Sequence, residues 1–145
     1  MANIHKEVIV FVLNDNNEVL LQKRSENKKH FPNKWTVLSG HVEDFDESFE
    51  AAAVRELKEE IGLNVNISEL KYLAENEVIK EDDSKHITKY YSIISNKKED
   101  EYIIQTEELS EVKWYSYSDF INMMENNDER LVFSPKILEV FKNML

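Results

Sequence analysis

The alternation of apolar and polar positions divides the chain into short elements. "EVIVFVLN" (Glu7–Asn14) is a β-branched and aromatic run that predicts a buried strand. "DNN" (Asp15–Asn17) has turn chemistry, and "EVLLQKR" (Glu18–Arg24) returns as the second strand of a hairpin. "SENKKHFPNK" is a polar loop, and "WTVLS" (Trp35–Ser39) is a short strand ending at Gly40. A helix is predicted from Glu47 to Ile61, capped by Asp44 or Asp46, with Gly62 at the left-handed position after its end. "LNVNI" and "LKYLAENEVIK" read as strands, "EDDSK" as a turn, and "HITKYYSIIS" as the returning hairpin strand. "EVKWYSY" is a further strand. Ser118 or Asp119 starts the helix "DFINMMEN", and Pro135 sits in the first turn of "PKILEVFKNML". Strands and helices mix without strict βαβ alternation, which predicts an α+β layered fold with a mixed sheet, a single domain over residues 1–145.

The helix at 47–61 carries an anomaly. At about 100° per residue, Phe49, Ala53, Leu57 and Ile61 line up with Val54 as a core face. Glu60 projects onto the core side, Glu56 falls beside Phe49, and Glu59 lies further round the same flank. Glu56 is three residues from Glu59 and four from Glu60, so the three carboxylates are neighbours that repel. Partial burial adds a desolvation cost. Protonation or a bound cation must compensate, and three clustered oxygen donors suit Mg²⁺ or Mn²⁺. The plainer alternative is a solvated acidic face beside an imperfect apolar stripe.

"RELKEEIGL" (Arg55–Leu63) resembles the second half of the Nudix box, and Glu47 stands the right seven residues before Arg55. "VLLQKR" before the box and "EELSEVKWYS" after it are similar to the usual Nudix surroundings. One departure is plain. Six residues separate Gly40 from Glu47 where the box has five, and Asp46 stands where the family has a glycine.

The resemblance implies an α/β/α sandwich and hydrolysis of a diphosphate bridge in a nucleoside diphosphate derivative. An ordinary or modified nucleoside triphosphate, cleaved to monophosphate and pyrophosphate, is the leading substrate. It implies Glu56, Glu59 and Glu60 as ligands of Mg²⁺ or Mn²⁺, joined by the Ser39 carbonyl. Arg55 resembles the arginine that orients a neighbouring glutamate, with Glu47 as its supporting partner. A general base is expected either in the box or in a later loop, where Glu107 and Glu108 stand and Glu108 is preferred. Arg24 is suited to fork onto a substrate phosphate. Phe45, in the longer loop, is expected to pack inward or to line the substrate site. Trp35, Phe45, Tyr72 and Tyr91 are the aromatics considered for base stacking, with the core as the alternative for each.

Two rival readings come from the same resemblance. "SENKKHFPNKWTVLSGHV" also resembles isopentenyl-diphosphate isomerase, in which His5 and His41 would match metal-binding histidines. Ser39 then falls where that enzyme has its catalytic cysteine. A non-catalytic nucleotide sensor is the other rival, and such domains usually lose box glutamates that this chain keeps.

Composition narrows the partners. Acids number 29 against 18 bases, a net charge of −11, which repels nucleic-acid backbone but accepts a small phosphate compound if metal ions bridge the repulsion. Cysteine is absent, so disulfides, thiolate metal sites and a cysteine nucleophile are excluded. No apolar run reaches membrane-spanning length and no basic-then-apolar leader opens the chain. The expectation is a cytoplasmic monomer or homodimer with a small nucleotide as its partner.

Overall fold

In β1 (Ile4–Leu13), Val8, Val10 and Val12 face one layer while Ile9, Phe11 and Leu13 face the other. Period-two alternation dictates this division. All six are buried, so both faces of the strand are covered and the run reads as continuously apolar. The computed structural model describes residues 3–145.

The other strands are β2 (Glu18–Arg24), β3 (Trp35–Thr36), β4 (Leu38–His41), β5 (Lys71–Ile79), β6 (Lys85–Ile94) and β7 (Leu109–Ser116). They form one mixed seven-stranded sheet in the order β3-β2-β1-β6-β5, with β4 on β1 and β7 on β2. β1 runs parallel to β6, and the remaining pairs are antiparallel. Helix α1 (Phe49–Ile61) covers one face through Ala52, Ala53, Leu57 and Ile61. Helices α2 (Tyr117–Glu125) and α3 (Pro135–Met144) cover the other through Phe120, Met124, Ile137, Val140 and Phe141. The result is the α/β/α sandwich with a mixed sheet. Leu57 and Ile61 are fully buried, each contributing roughly 1.5–3 kcal/mol. Among the described residues no helix is long and apolar enough to cross a membrane.

The predicted hairpin is present but splayed. β1 and β2 pair only at Leu13 and Val19. Beyond that point β4 takes the edge of β1, from Val10–Leu38 to Glu7–His41, and β3 takes the edge of β2. The predicted strand "WTVLS" therefore breaks at Val37 and crosses the fork between β1 and β2.

Expected and observed elements differ in several places. α1 starts at Phe49, not Glu47, and its cap is Ser48, whose hydroxyl accepts from the Ala51 N–H at 3.0 Å. Asp46 is used elsewhere. Ser116, not Ser118 or Asp119, caps α2 by accepting from the Asp119 N–H. "LNVNI" is not a strand, because Leu63 and Val65 pack on the α1-side core from an irregular segment that pairs with no strand. Its alternation imitates a strand by sealing the edge of the core.

α1 ends as predicted. Gly62 adopts φ 68°, and the N–H groups of Gly62 and Leu63 donate to Lys58 and Leu57. The carbonyls of Glu60 and Ile61, which a helix end leaves without partners, accept from the N–H groups of Gln105 (2.9 Å) and Ile103 (3.0 Å).

Candidate active site

The box acids face a cavity of about 1070 Å³ whose wall includes Gln22, Arg24, Lys28, Ser39, Gly40 and His41 as well as Glu56, Glu59, Glu60 and Glu108. The splay of β1 from β2 contributes to it, since residues from both sheet faces reach the same space. Ile9 belongs to the α2/α3 layer, while Gln22 on β2 meets a glutamate of α1.

Gly40 on β4 makes room for Glu56. A Cβ there would stand 2.5 Å from Glu56 Cγ and 2.7 Å from Oε1, so any side chain displaces this carboxylate. Glu60 is the most confined of the three. Its Oε1 accepts from Gln22 Nε2 at 3.1 Å, while its Oε2 is buried with no hydrogen-bond partner. Burial above all, and then the adjacent Glu56 carboxylate, push its pKa up to about 9; the Gln22 bond opposes this only in part.

Arg55 organises the other acids. Nε and Nη2 grip Asp46 Oδ1 and Oδ2 at 2.9 and 2.8 Å, and Nη2 also reaches the His41 carbonyl at 3.0 Å. Nη1 donates to Glu56 Oε1 (2.9 Å) and Glu59 Oε2 (3.1 Å). The hydrogen bond from Arg55 holds the Asp46 carboxyl below the usual carboxylate range. Glu47 is exposed and makes no side-chain hydrogen bond or ion pair among the described residues. The partner of the box arginine is thus Asp46, one position earlier than the resemblance implied. The additional loop residue explains the exchange. Asp46 accepts from the Glu43 N–H at 2.8 Å while its own N–H donates to the Glu43 carbonyl, and this tight turn faces Asp46 toward the helix.

The remaining expectations divide. Glu108 lines the cavity and pairs with Lys28, whereas Glu107 is exposed and outside the lining. The Arg24 side chain lines the cavity with its Nε bonded to the His30 carbonyl at 2.9 Å. Phe45 lies outside the lining, 72% exposed, with its ring 5.2 Å from the Arg55 guanidinium carbon. Trp35 and Tyr91 are core residues, and Tyr72 is exposed away from the cavity. His5 stacks on His86 with centroids 4.6 Å apart, outside the cavity, while His41 lines it. The sequence reading gives Asp46 a capping or loop position and no tie to Arg55, and it gives Gln22 and Phe31 no site role. The only signal for Gln22 was a polar residue at the end of an apolar strand.

Among the described residues no three His, Asp or Glu side chains converge tightly enough to hold a divalent ion as they stand, because Arg55 draws Glu56 and Glu59 to itself. The buried Oε2 of Glu60, without a hydrogen-bond partner and beside the Glu56 carboxylate, is nevertheless an oxygen donor of the kind a hard cation takes.

A family model described as the NUDIX domain matches residues 3–135. An isopentenyl-diphosphate Delta-isomerase of Aliivibrio fischeri is 33% identical over 135 residues, covering 88% of this chain and 71% of that one. A prenyl-diphosphate phosphatase of Methanosarcina mazei is 47% identical over 64 residues, 43% of this chain and 36% of that one. Among solved structures, a NUDIX hydrolase from Alicyclobacillus acidocaldarius superposes with a TM-score of 0.75 at 16% identity, covering 98% and 91% of the two chains.

Proposed function

This chain belongs to the NUDIX domain family and is a pyrophosphohydrolase, and we propose that it cleaves the diphosphate bridge of a nucleoside triphosphate, ordinary or modified, to the monophosphate and pyrophosphate with Mg²⁺ or Mn²⁺. The observation that carries the metal-dependent reading is the buried, unpaired Glu60 Oε2 beside Glu56 on the cavity wall. When bound, a divalent ion offsets phosphate charge and lowers the pKa of an attacking water.

The chain's own residues supply the rest. Glu56, Glu59 and Glu60 are the ligands in this reading, with the Ser39 carbonyl as a fourth donor. Gln22 holds Glu60, and Arg55 holds Glu56 and Glu59 until a cation competes for them. Glu108 accepts the proton of the attacking water once its Lys28 partner turns to substrate phosphate. Arg24 lies on the same wall, where its free guanidinium nitrogens suit a phosphate.

The Aliivibrio relative favours a second reading, isomerisation of isopentenyl diphosphate. Against it stands Ser39, an alcohol where the resemblance places a thiol, in a chain without cysteine. The Methanosarcina relative favours a prenyl diphosphate as an alternative substrate for hydrolysis. One panel separates all three. Purified protein with Mg²⁺ or Mn²⁺ is offered nucleoside triphosphates, prenyl diphosphates and isopentenyl diphosphate, and products are resolved by chromatography. The proposal expects pyrophosphate release from a nucleotide, abolished by chelator. Dimethylallyl diphosphate formation, or turnover of prenyl diphosphates alone, overturns it.

A further inference from the structure

Phe31 is the one exposed large hydrophobic residue, among those described, that lines the site cavity. It is 54% exposed, so core packing does not account for it. Its backbone is also unusual. Five described non-glycine residues have positive φ: Asn17, Phe31, Asn33, Asp83 and Asn127. Four are Asn or Asp, which tolerate the left-handed region, and the fifth is Phe31 at φ 52°. A bulky side chain in that conformation is strained, and such strain collects where a side chain must be presented to a ligand.

The presenting loop is fixed on both sides. Arg24 N–H donates to the Lys34 carbonyl at 2.9 Å, and Asn33 N–H donates to the Arg24 carbonyl at 3.1 Å. The Arg24 Nε closes the loop on the His30 carbonyl next to Phe31. One arginine thus anchors the aromatic loop while lining the cavity that holds the box acids. Lys28, from the same loop, Val132, from the segment leading into α3, and Ile137, in the first turn of α3, line that cavity too. Cations for phosphates, an exposed aromatic face and apolar contacts together match a molecule with a phosphate chain at one end and a flat ring at the other.

We propose that Phe31 is the specificity-determining platform on which the planar base of the substrate stacks, so that the substrate class is a nucleotide and not a diphosphate with an aliphatic tail. The inference rests on the reading of this cavity as the hydrolytic site. A planar base gains from the face of an aromatic ring by stacking. An aliphatic tail needs only apolar bulk, which leucine supplies equally.

The test uses Phe31→Leu, Phe31→Gly and Phe31→Trp with the four ribonucleoside triphosphates and inorganic tripolyphosphate, which has the phosphates but no ring. Hydrolysis is followed with Mg²⁺, and binding is measured by calorimetry with Mg²⁺ and non-hydrolysable methylene-bridged analogues of the same nucleotides, with Glu60 left in place. For the preferred nucleotide, KM and Kd should rise about tenfold or more in the Leu and Gly variants, with kcat within about threefold. The Trp variant should retain affinity, and KM for tripolyphosphate should not move. Phe31→Gly should match or exceed the wild-type Tm, because glycine relieves the left-handed backbone. A purely structural role predicts the reverse, a lower Tm with affinity unchanged. Wild-type affinity in Phe31→Leu, a parallel loss for tripolyphosphate, or no binding of any nucleotide overturns the proposal. Binding that depends on Phe31 without hydrolysis leaves it standing and removes the hydrolytic reading instead. Hydrolysis indifferent to Phe31 does the opposite.

Discussion

Arg55 grips Asp46 through two hydrogen bonds of 2.9 and 2.8 Å, with the Asp46 side chain 4% exposed and that of Arg55 19% exposed. The fork joins the loop after β4 to the middle of α1, and the same guanidinium holds Glu56 and Glu59. Asp46→Ala should therefore cost about 2–4 kcal/mol, as expected when one partner of a buried pair is removed, and should lower kcat as well. Glu47→Gln should stay within about 0.5 kcal/mol of wild type, as surface changes do. Urea unfolding of both variants checks this, and a larger loss for Glu47→Gln would reverse the assignment.

Acid dependence follows with a definite sign. The Arg55 bond lowers the Asp46 pKa below its ordinary value of 3.8, so the folded state favours the ionised form. The resulting stability is complete above the unfolded pKa and disappears as pH falls below about 4 through the folded pKa. The stability gap between wild type and Asp46→Asn should be constant near neutrality and narrow below about pH 4. Denaturant titrations at stepped pH read it directly; a gap that widens on acidification contradicts the sign.

Glu60→Gln separates the cost of burying this carboxyl group from its use. The substituted amide can donate to Glu56 where Oε2 had no partner. Metal-free Tm should hold or rise by a few degrees, the Tm increase on adding Mg²⁺ should vanish, and kcat should fall about 100-fold or more. Differential scanning fluorimetry with and without Mg²⁺, beside a hydrolysis assay, tests all three. A large drop in metal-free Tm would assign this carboxylate to stability.

Gly40→Ala probes the space above Glu56. The new methyl would overlap Glu56 Cδ and stand 2.5 Å from Cγ, and the cheapest relief is rotation of the whole Glu56 side chain out of its present position. The fold should remain while affinity for Mn²⁺ drops about tenfold or more, by loss of one charged ligand from the shell. Calorimetric titration with Mn²⁺ checks this, and unchanged affinity would remove Glu56 from the ligand set.

What the sequence disclosed and what it concealed divide along physical lines. The face of α1 was legible because Ala53, Leu57 and Ile61 recur at helical spacing, and the same spacing exposed Glu56, Glu59 and Glu60 as misplaced acids. Asp46 and Glu47 are adjacent acids, and which of them reaches Arg55 is decided by the turn at 43–46, closed in three dimensions. No periodicity records that choice. Phe31 was hidden for a similar reason: its loop reads as polar, and neither its backbone angle nor the Arg24 anchor leaves a mark on the pattern. Val37 sits inside an apolar run, and only the fork between β1 and β2 explains the break there.

The carbonyls of Glu60 and Ile61, capped by the amides of Gln105 and Ile103, give the site a shared fate. Glu108 follows that stretch by only a few residues, and its own N–H bonds to the Gln105 carbonyl. Fraying of the last turn of α1 therefore releases a box carboxylate and the later-loop carboxylate in one event. In hydrogen-exchange terms the helix end and residues 103–109 form a single opening unit, so their amides should exchange at one common rate. A cation clamped by that turn would slow exchange across the whole unit, including residues that never touch it.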